Sequence, residues 1–325
     1  MKYPFISIII PTKNEEKHIG KLLTSLFLQS YPKSKFEVLI FDGLSKDKTL
    51  EIIKNYRDKL NIKIFKNLKI KQVYAFNEGI KKGKGNYFII LGAHADISKK
   101  FVENSVKTFL KIKKEEPKLA GVGGTIKNKY KNKFSKLISL LYSSPFSGAS
   151  SYRYNKKPHF SKTIVFGLYD KNIVKKIGKF DEDFIVGQDL ELNLRLNKKG
   201  YKLYTNPKIK AYYFPRLSFK KFLKQTFNYG AARGLLIRKK YFCIFWFIPA
   251  FFVLYELFLI FFNSFVAFLP LISYFIISFF VSVKIFMNTK KTESLILPFF
   301  YFLFHNLIGF GFIYGLIRGK KCFRK

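Results

Sequence analysis

From residue 1 to about 215, short unbroken apolar runs alternate with stretches whose apolar positions recur every three or four residues. The runs are Ile6–Ile10, Val38–Phe41, Ile62–Phe65, Tyr87–Leu91 and Ala120–Ile126. Runs this short, bounded by turn residues and free of polar alternation, predict strands covered on both faces, as in a parallel sheet. Helices are predicted between them. In His18–Leu28 the residues Ile19, Leu22, Leu23 and Leu26 share one face, and Asp47–Tyr56, Val73–Lys82 and Lys100–Lys114 follow the same period. Strand–helix alternation gives an α/β fold with a mostly parallel sheet, whose ligands bind beyond the carboxyl ends of the strands.

The pattern changes after residue 215. Phe219, Phe222, Leu223 and Phe227 fall at helical spacing among Lys220, Lys221, Lys224, Arg233, Arg238, Lys239 and Lys240. A basic amphipathic helix over 216–240 is predicted, of the kind that lies in a membrane interface; a basic surface helix of the preceding domain has the same pattern. Tyr241–Val283 is apolar except for Glu256 and the pair Asn263–Ser264, which fits two membrane-crossing helices with a tight turn. Ser294–Ile317 is long enough for a third. Two crossings would return Lys284, Lys290 and Lys291 to the cytosol, as the positive-inside rule requires, whereas a third would export Arg318, Lys320, Lys321, Arg324 and Lys325. The expected organisation is therefore a catalytic-type α/β domain over 1–215, an interface helix over 216–240, and a transmembrane region over 241–325 with two or three spans and a basic tail. Glu256 inside an apolar span is costly, and marks either a functional site or a contact with a partner helix.

Composition sharpens this picture. The 325 residues carry 60 Lys+Arg against 20 Asp+Glu, a formal charge of +40, beside 48% hydrophobic residues and 40 Phe. Such aromatic content excludes a disordered chain. Only eight of the basic residues are arginine, the usual reader of bases and phosphates, so no nucleic-acid partner is expected. Codon bias is one explanation of the lysine excess, and an anionic lipid surface is the other. Cys243 and Cys322 cannot build a disulfide framework, which fits a reducing compartment. Ile6–Ile10 is too short for a signal segment, so the domain is expected on the cytosolic side of a cell membrane.

Candidate chemistry sits at the carboxyl ends of the predicted strands. The first leads into Pro11-Thr12-Lys13-Asn14-Glu15, and the second into Asp42 and then Ser45, Asp47 and Thr49. Asp42 is placed to accept hydrogen bonds from a base or ribose, while Ser45 and Asp47 suit helix N-caps equally well. The fourth strand ends in Gly92-Ala93-His94-Ala95-Asp96, whose His94 and Asp96 could face a metal or a diphosphate.

The order of these motifs resembles the family 2 glycosyltransferases of the GT-A fold. The resemblance runs through Pro11, Asn14, Glu15, Asp42-x-x-Ser45-x-Asp47-x-Thr49 and Asn77-x-Gly79 to Gly187-Gln188-Asp189-Leu190-Glu191 with Arg195, Gly200 and Tyr201. Ala93-His94-Ala95, Pro215-Arg216, Gln225 and Tyr229-Gly230 further resemble the membrane-bound succinoglycan-biosynthesis subgroup. The resemblance implies an inverting transfer from a nucleotide sugar. Pro11, Thr12, Asn14, Glu15, Asp42 and Asn77 would hold the nucleotide, and Asp189 would act as general base. Glu191, Arg216, Gln225, Tyr229 and Arg233 would line the acceptor side or support it. The family's metal-binding Asp-x-Asp is altered: Gly92 and His94 stand in its two places. Mn²⁺ or Mg²⁺ on His94 and Asp96 is one expectation, and a metal-free site with Lys or Arg on the leaving group is the other. The implied acceptor is a lipid-linked (polyprenyl) saccharide. Polyprenyl phosphate itself, or a basic membrane-surface protein without catalysis, are the alternatives.

Overall fold

The computed structural model describes residues 3–148, 153, 157–215, 218–262 and 264–323. By contacts the chain divides into two compact units, Met1–Lys127 with Asn155–Tyr213, and Asn128–Tyr154 with Phe214–Lys325.

The first unit is the α/β domain. Its strands are β1 (Ile6–Thr12), β2 (Phe36–Asp42), β3 (Ile62–Lys66), β4 (Tyr87–Ile90), β5 (Asp96–Ile97), β6 (Leu119–Asn128), β7 (His159–Phe160), β8 (Leu168–Asp170) and β9 (Lys202–Tyr213). Its helices are α1 (Ile19–Phe27), α2 (Thr49–Lys54), α3 (Gln72–Lys82), α4 (Phe101–Glu115), α6 (Lys171–Lys176) and α7 (Gln188–Lys198); α5 (Lys133–Ser143) belongs to the other unit. The sheet order is β3-β2-β1-β4-β8-β6-β9-β5, with β7 beside β9. β2 and β4 flank β1 in parallel and β3 continues this parallel half, while β8 runs antiparallel to both β4 and β6. As the unbroken apolar runs predict, both faces are covered. Ile6, Ile8 and Ile10 face a core with α1 and α4, while Ile9, Leu39 and Phe41 face another with α3, α6 and α7.

One carboxylate stitches the parallel half together. Glu37 on β2 is fully buried. It accepts from Ser7 Oγ on β1 at 2.9 Å, from the Lys84 N–H before β4 at 2.6 Å, and from Lys63 Nζ on β3 at 2.8 Å. Burial pushes its pKa up, but these donors outweigh that and hold it below the ordinary glutamate value.

The second unit holds α5, α8 (Phe219–Arg238), α9 (Ile248–Phe261), α10 (Phe265–Thr289) and α11 (Leu297–Arg318). Among the described residues three segments are long and apolar enough to cross a membrane, Ile244–Phe261, Phe265–Thr289 and Thr292–Phe323. Residues 128–154 join this unit although they leave β6 and return to β7, a detour that the boundary drawn near 215 does not contain. The cause lies in the side chains of α5. Leu137, Ile138 and Leu141 pack in one core with Leu297, Tyr301 and Phe304, and Lys136 Nζ lies 2.9 Å from Glu293 Oε1. Glu256, flagged as costly, accepts from Asn306 Nδ2 on α11 at 3.0 Å, so it has its helix partner.

Replacing Glu37 by Ala leaves a buried Ser7 and the Lys84 N–H without their acceptor and is expected to cost about 3 kcal/mol, measurable by denaturant unfolding in detergent. Because the folded pKa is depressed, the stabilisation from Glu37 is present above the unfolded glutamate pKa of about 4.3 and is lost as pH falls through the folded value.

Candidate active site

Three loops at the carboxyl ends of β1, β2 and β3 are bonded to one another. Asp42 closes β2, and its carboxylate accepts from the Ser45 N–H at 3.0 Å, from Ser45 Oγ at 2.5 Å and weakly from Thr12 Oγ1 at 3.5 Å. Ser45 Oγ in turn accepts the Asn14 N–H at 2.9 Å, and Asn14 Oδ1 accepts the Lys46 N–H at 2.9 Å. Asp47 ties the same loops a second time, accepting from the Glu16 N–H at 3.1 Å and from Thr49 Oγ1 at 2.5 Å. Slight burial raises the Asp47 pKa, but those donors outweigh it and hold the carboxyl below its ordinary value. Thr49 Oγ1 also accepts the Glu15 N–H at 2.7 Å. On the third loop the Asn67 N–H donates to the Asp42 carbonyl at 2.7 Å.

This lacing holds strained backbone. Asn14, Leu44 and Ile70 all have positive φ, of 52°, 64° and 65°. Asn tolerates that region, but a leucine and a β-branched isoleucine there cost about 1–2 kcal/mol each. Such strain persists where the surroundings over-determine the backbone, and it clusters at functional sites. Beside it, the 42–46 loop and Ile64–Lys66 of β3 border a cleft of about 410 Å³, a size that small ligands occupy.

The predicted residues fare differently. Pro11 and Thr12 end β1 and are buried, and Asn14, Glu15 and Asp42 come together in the laced loops. His94 joins them, its Nδ1 lying 3.5 Å from Glu15 Oε1. Asn77 does not join them: its amide donates to the Phe180 carbonyl at 3.0 Å and accepts the Phe180 N–H at 2.9 Å, clamping the segment that leads to Asp189. Asp96 sits in β5 opposite Tyr212 and pairs with Lys21 Nζ at 3.3 Å. Among the described residues no group of three or more His, Cys, Asp or Glu side chains gathers as a cation site. An imidazole beside one carboxylate, with Asp96 neutralised by a lysine, does not fit the oxygen-rich site that Mg²⁺ or Mn²⁺ requires.

Asp189 stands in the first turn of α7, where its Oδ1 accepts the Leu190 N–H at 2.9 Å. Asp189 is half-buried, and desolvation raises its pKa above the ordinary aspartate value although two backbone N–H groups pull it down. Tyr169, fully buried nearby, donates to Asn193 Oδ1 at 3.0 Å; burial first, and the Asp189 charge second, keep its hydroxyl protonated. Glu191 is occupied by Arg195, whose Nε and Nη2 each lie 2.8 Å from its oxygens. Arg195 also donates to the carbonyls of Ile177 and Lys179, so this fork pins the preceding turn to α7.

The remaining candidates belong to the helical unit. On α8, Gln225 Nε2 donates to Tyr229 Oη at 2.9 Å and Arg233 Nη1 to the Tyr229 carbonyl at 2.9 Å. Arg216 lies outside the described residues. Asn67, Ile70, Lys21 and Tyr169 were not singled out from sequence. Only the Asn67-x-x-Ile70 turn after a strand offered a signal, and a weak one.

Two family models match the chain: one described as glycosyl transferase family 2 over residues 7–178, and one described as glycosyl transferase family group 2 over 106–314. The dolichyl N-acetyl-alpha-D-glucosaminyl phosphate 3-beta-D-2,3-diacetamido-2,3-dideoxy-beta-D-glucuronosyltransferase of Methanococcus voltae is 49% identical over 324 residues, 98% of this chain and 99% of that one. Glycosyltransferase AglE of Haloferax volcanii is 29% identical over 231 residues, covering 70% and 72%. Succinoglycan biosynthesis protein ExoA of Rhizobium meliloti is 28% identical over 233 residues, covering 70% and 68%. The mannosyltransferase PcManGT of Pyrobaculum calidifontis, solved with GDP-Man and Mn²⁺, superposes with a TM-score of 0.56 at 15% identity, over 93% of this chain and 74% of its own. At that identity the likeness speaks for the fold alone, a GT-A domain with C-terminal helices.

Ser45→Ala would strip the Asn14 N–H of its acceptor and free one oxygen of Asp42. It is expected to lower stability by about 0.5–1.5 kcal/mol in denaturant titration, the net worth of a hydrogen bond whose exposed donor water can meet.

Proposed function

The chain belongs to glycosyl transferase family 2, and from that premise we propose that it moves a sugar from a nucleotide donor to the saccharide of a lipid-linked acceptor at the cytosolic membrane face. The observation that carries the acceptor class is the 49% identity, over 98% of the chain, with an enzyme whose name gives dolichyl-linked N-acetylglucosaminyl phosphate as acceptor. The apolar C-terminal segments and the lysine excess support a membrane-bound acceptor and an anionic lipid surface.

In this reading the loops after β1 and β2 hold the nucleotide. Asp42 keeps accepting capacity for a base or ribose, and the lacing fixes its carboxylate before the donor arrives, which reduces the ordering cost of binding. An acceptor hydroxyl oxygen attacks the anomeric carbon while the bond from that carbon to the diphosphate oxygen breaks. The hydroxyl proton passes to the Asp189 carboxylate, the nucleoside diphosphate leaves, and the anomeric configuration inverts. A raised pKa suits Asp189 to this task, because a base whose affinity for protons lies nearer the working pH takes the proton with less cost. The lysines of the same loops, Lys13 and Lys46, supply positive charge to the departing diphosphate.

The decisive experiment incubates the reconstituted protein with UDP-, GDP- and dTDP-sugars and polyprenyl-linked N-acetylglucosaminyl phosphate, reading nucleoside diphosphate release and labelled lipid. Absence of release with every donor would overturn the reading. Asp189→Asn is expected to lower kcat by roughly 10²–10⁴-fold. Appreciable activity in that variant would instead mark polyprenyl phosphate, already ionised, as the nucleophile. The acidic limb of the kcat profile should lie above the ordinary aspartate range, activity being lost as pH falls through the raised pKa. The sign reverses for stability: a raised folded pKa makes the ionised form costly above it, so Asp189→Asn should keep or raise Tm at neutral pH.

A further inference from the structure

The first turn of α7 carries Asp189, and the helix starts from Gly187, at a φ of 76°, which has no side chain to fix that turn. The direction of the Asp189 carboxylate is therefore set by what holds α7 and the segment 177–187 leading into it. Two helices hold that segment. Arg195, on α7 itself, donates to the Ile177 carbonyl at 2.6 Å and to the Lys179 carbonyl, while buried Glu191 accepts from its guanidinium twice at 2.8 Å. The turn between those carbonyls is bent to fit: Gly178 and Lys179 have φ of 98° and 59°, and a Cβ on Gly178 would stand 3.3 Å from Arg195 Nη1. From α3, Asn77 matches the N–H and the carbonyl of Phe180. Phe180 is buried, its ring centroid 5.1 Å from that of Phe76. The bonds run on toward the helix: the Phe184 N–H donates to the Asp181 carbonyl at 3.1 Å, and Gln188 Nε2 to the Ile185 carbonyl at 2.6 Å.

Glu191 and Arg195 stand about 200° and 240° around α7 from Asp189. An anchor on that far face fixes the rotation of the helix about its axis, and with it the arc on which the Asp189 carboxylate lies. α3 ties this arrangement to the opposite side of the reaction. It begins just after the loop whose Asn67 N–H donates to the Asp42 carbonyl. It also lies so close on β1 that a Cβ at Gly79 would stand 2.5 Å from Ile9 Cγ2. One helix thus reaches from the loops after β1, β2 and β3 to the segment before Asp189.

We infer that Asn77 and the Arg195–Glu191 pair are positioning residues that set the distance between the nucleotide loops and the Asp189 carboxylate. The inference rests on the transfer proposed above, in which Asp189 takes the acceptor proton. Both ends of the Asn77 amide are engaged by Phe180, so its action passes through that backbone and not through the nucleotide. A displacement of about 1 Å at a reacting group lowers the rate about 10²-fold.

Two measurements on the full chain in detergent test it. Hydrogen exchange read by mass spectrometry needs no substrate. In Asn77→Ala and in Arg195→Lys the amides of 177–190 should exchange about tenfold faster, while β1, β2 and β4 keep their protection. Unchanged protection over 177–190, or loss spread through those strands as well, would overturn the clamp. Turnover with the donor and acceptor that the wild type uses then reads position. Asn77→Ala should lower kcat about 10²-fold with donor KM within about threefold of wild type. Arg195→Lys, which keeps a cation on Glu191 but has one head for two carbonyls, should fall between Arg195→Ala and wild type. In an Asp189→Asn background Asn77→Ala should lower kcat by less than about threefold, because the group it positions is gone. A raised donor KM at unchanged kcat would make Asn77 a nucleotide ligand, and an equal loss of kcat in both backgrounds would place its action elsewhere; either result overturns the inference. A wild type inert toward every donor overturns the transfer reading instead, and the clamp is then decided by exchange alone.

Discussion

The hydrogen-bonded lacing among the loops after β1, β2 and β3 is the constraint from which the site follows. Parallel strands end side by side, so their carboxyl-end loops crowd together, and each brings backbone N–H groups that the sheet no longer satisfies. Ser45, Asp47, Thr49 and Asn14 meet those groups across loops rather than within them. The resulting network is rigid enough to keep Leu44 and Ile70 at positive φ. A flexible loop would relax that strain at once. Rigidity here is also what gives Asp42 a defined direction, because two of its acceptor sites are already taken by Ser45 and the remainder point where the loops allow.

Much of the fold was legible because burial on both faces writes itself into the sequence as unbroken apolar runs. Ile6–Ile10, Val38–Phe41 and Ile62–Phe65 lie within the parallel half of the sheet, and Ile19, Leu22, Leu23 and Leu26 bury one helix face as their spacing required. The short antiparallel strands were not legible. β5, β7 and β8 have two or three residues each, too few to show a period, and they form only because β4 and β9 offer open edges. The detour through α5 escaped for another reason. Its apolar positions satisfy a helix in either unit, and nothing local says that Leu137 and Tyr301 will share a core.

The site divides along the same line. Residue types that suit a role could be named, but not which neighbour would claim them first. Asn77 had a motif's credentials, yet its amide matches the backbone of Phe180 on both donor and acceptor sides. Asp96 carried the right chemistry for a cation and was claimed by Lys21, a residue 75 positions away. Glu191 was claimed by Arg195 one helical turn on, a pairing that i,i+4 spacing does predict. Such competition is settled by tertiary distance, which a single sequence does not contain.

The altered Asp-x-Asp can be argued further from charge balance. A carboxylate pair at Gly92 and His94 would add two negative charges near Glu15, which a divalent cation would offset. With Gly92 and His94 there, Glu15 has an imidazole at 3.5 Å. In a chain of net charge +40 the electrostatic problem at a diphosphate site is the reverse of the usual one. Positive charge is abundant, and what must be built is the means of aiming it. The laced loops fix the backbone from which Lys13 and Lys46 project, so that in the proposed transfer their charge would reach the leaving group from a defined origin and cost little reorganisation when the bond breaks.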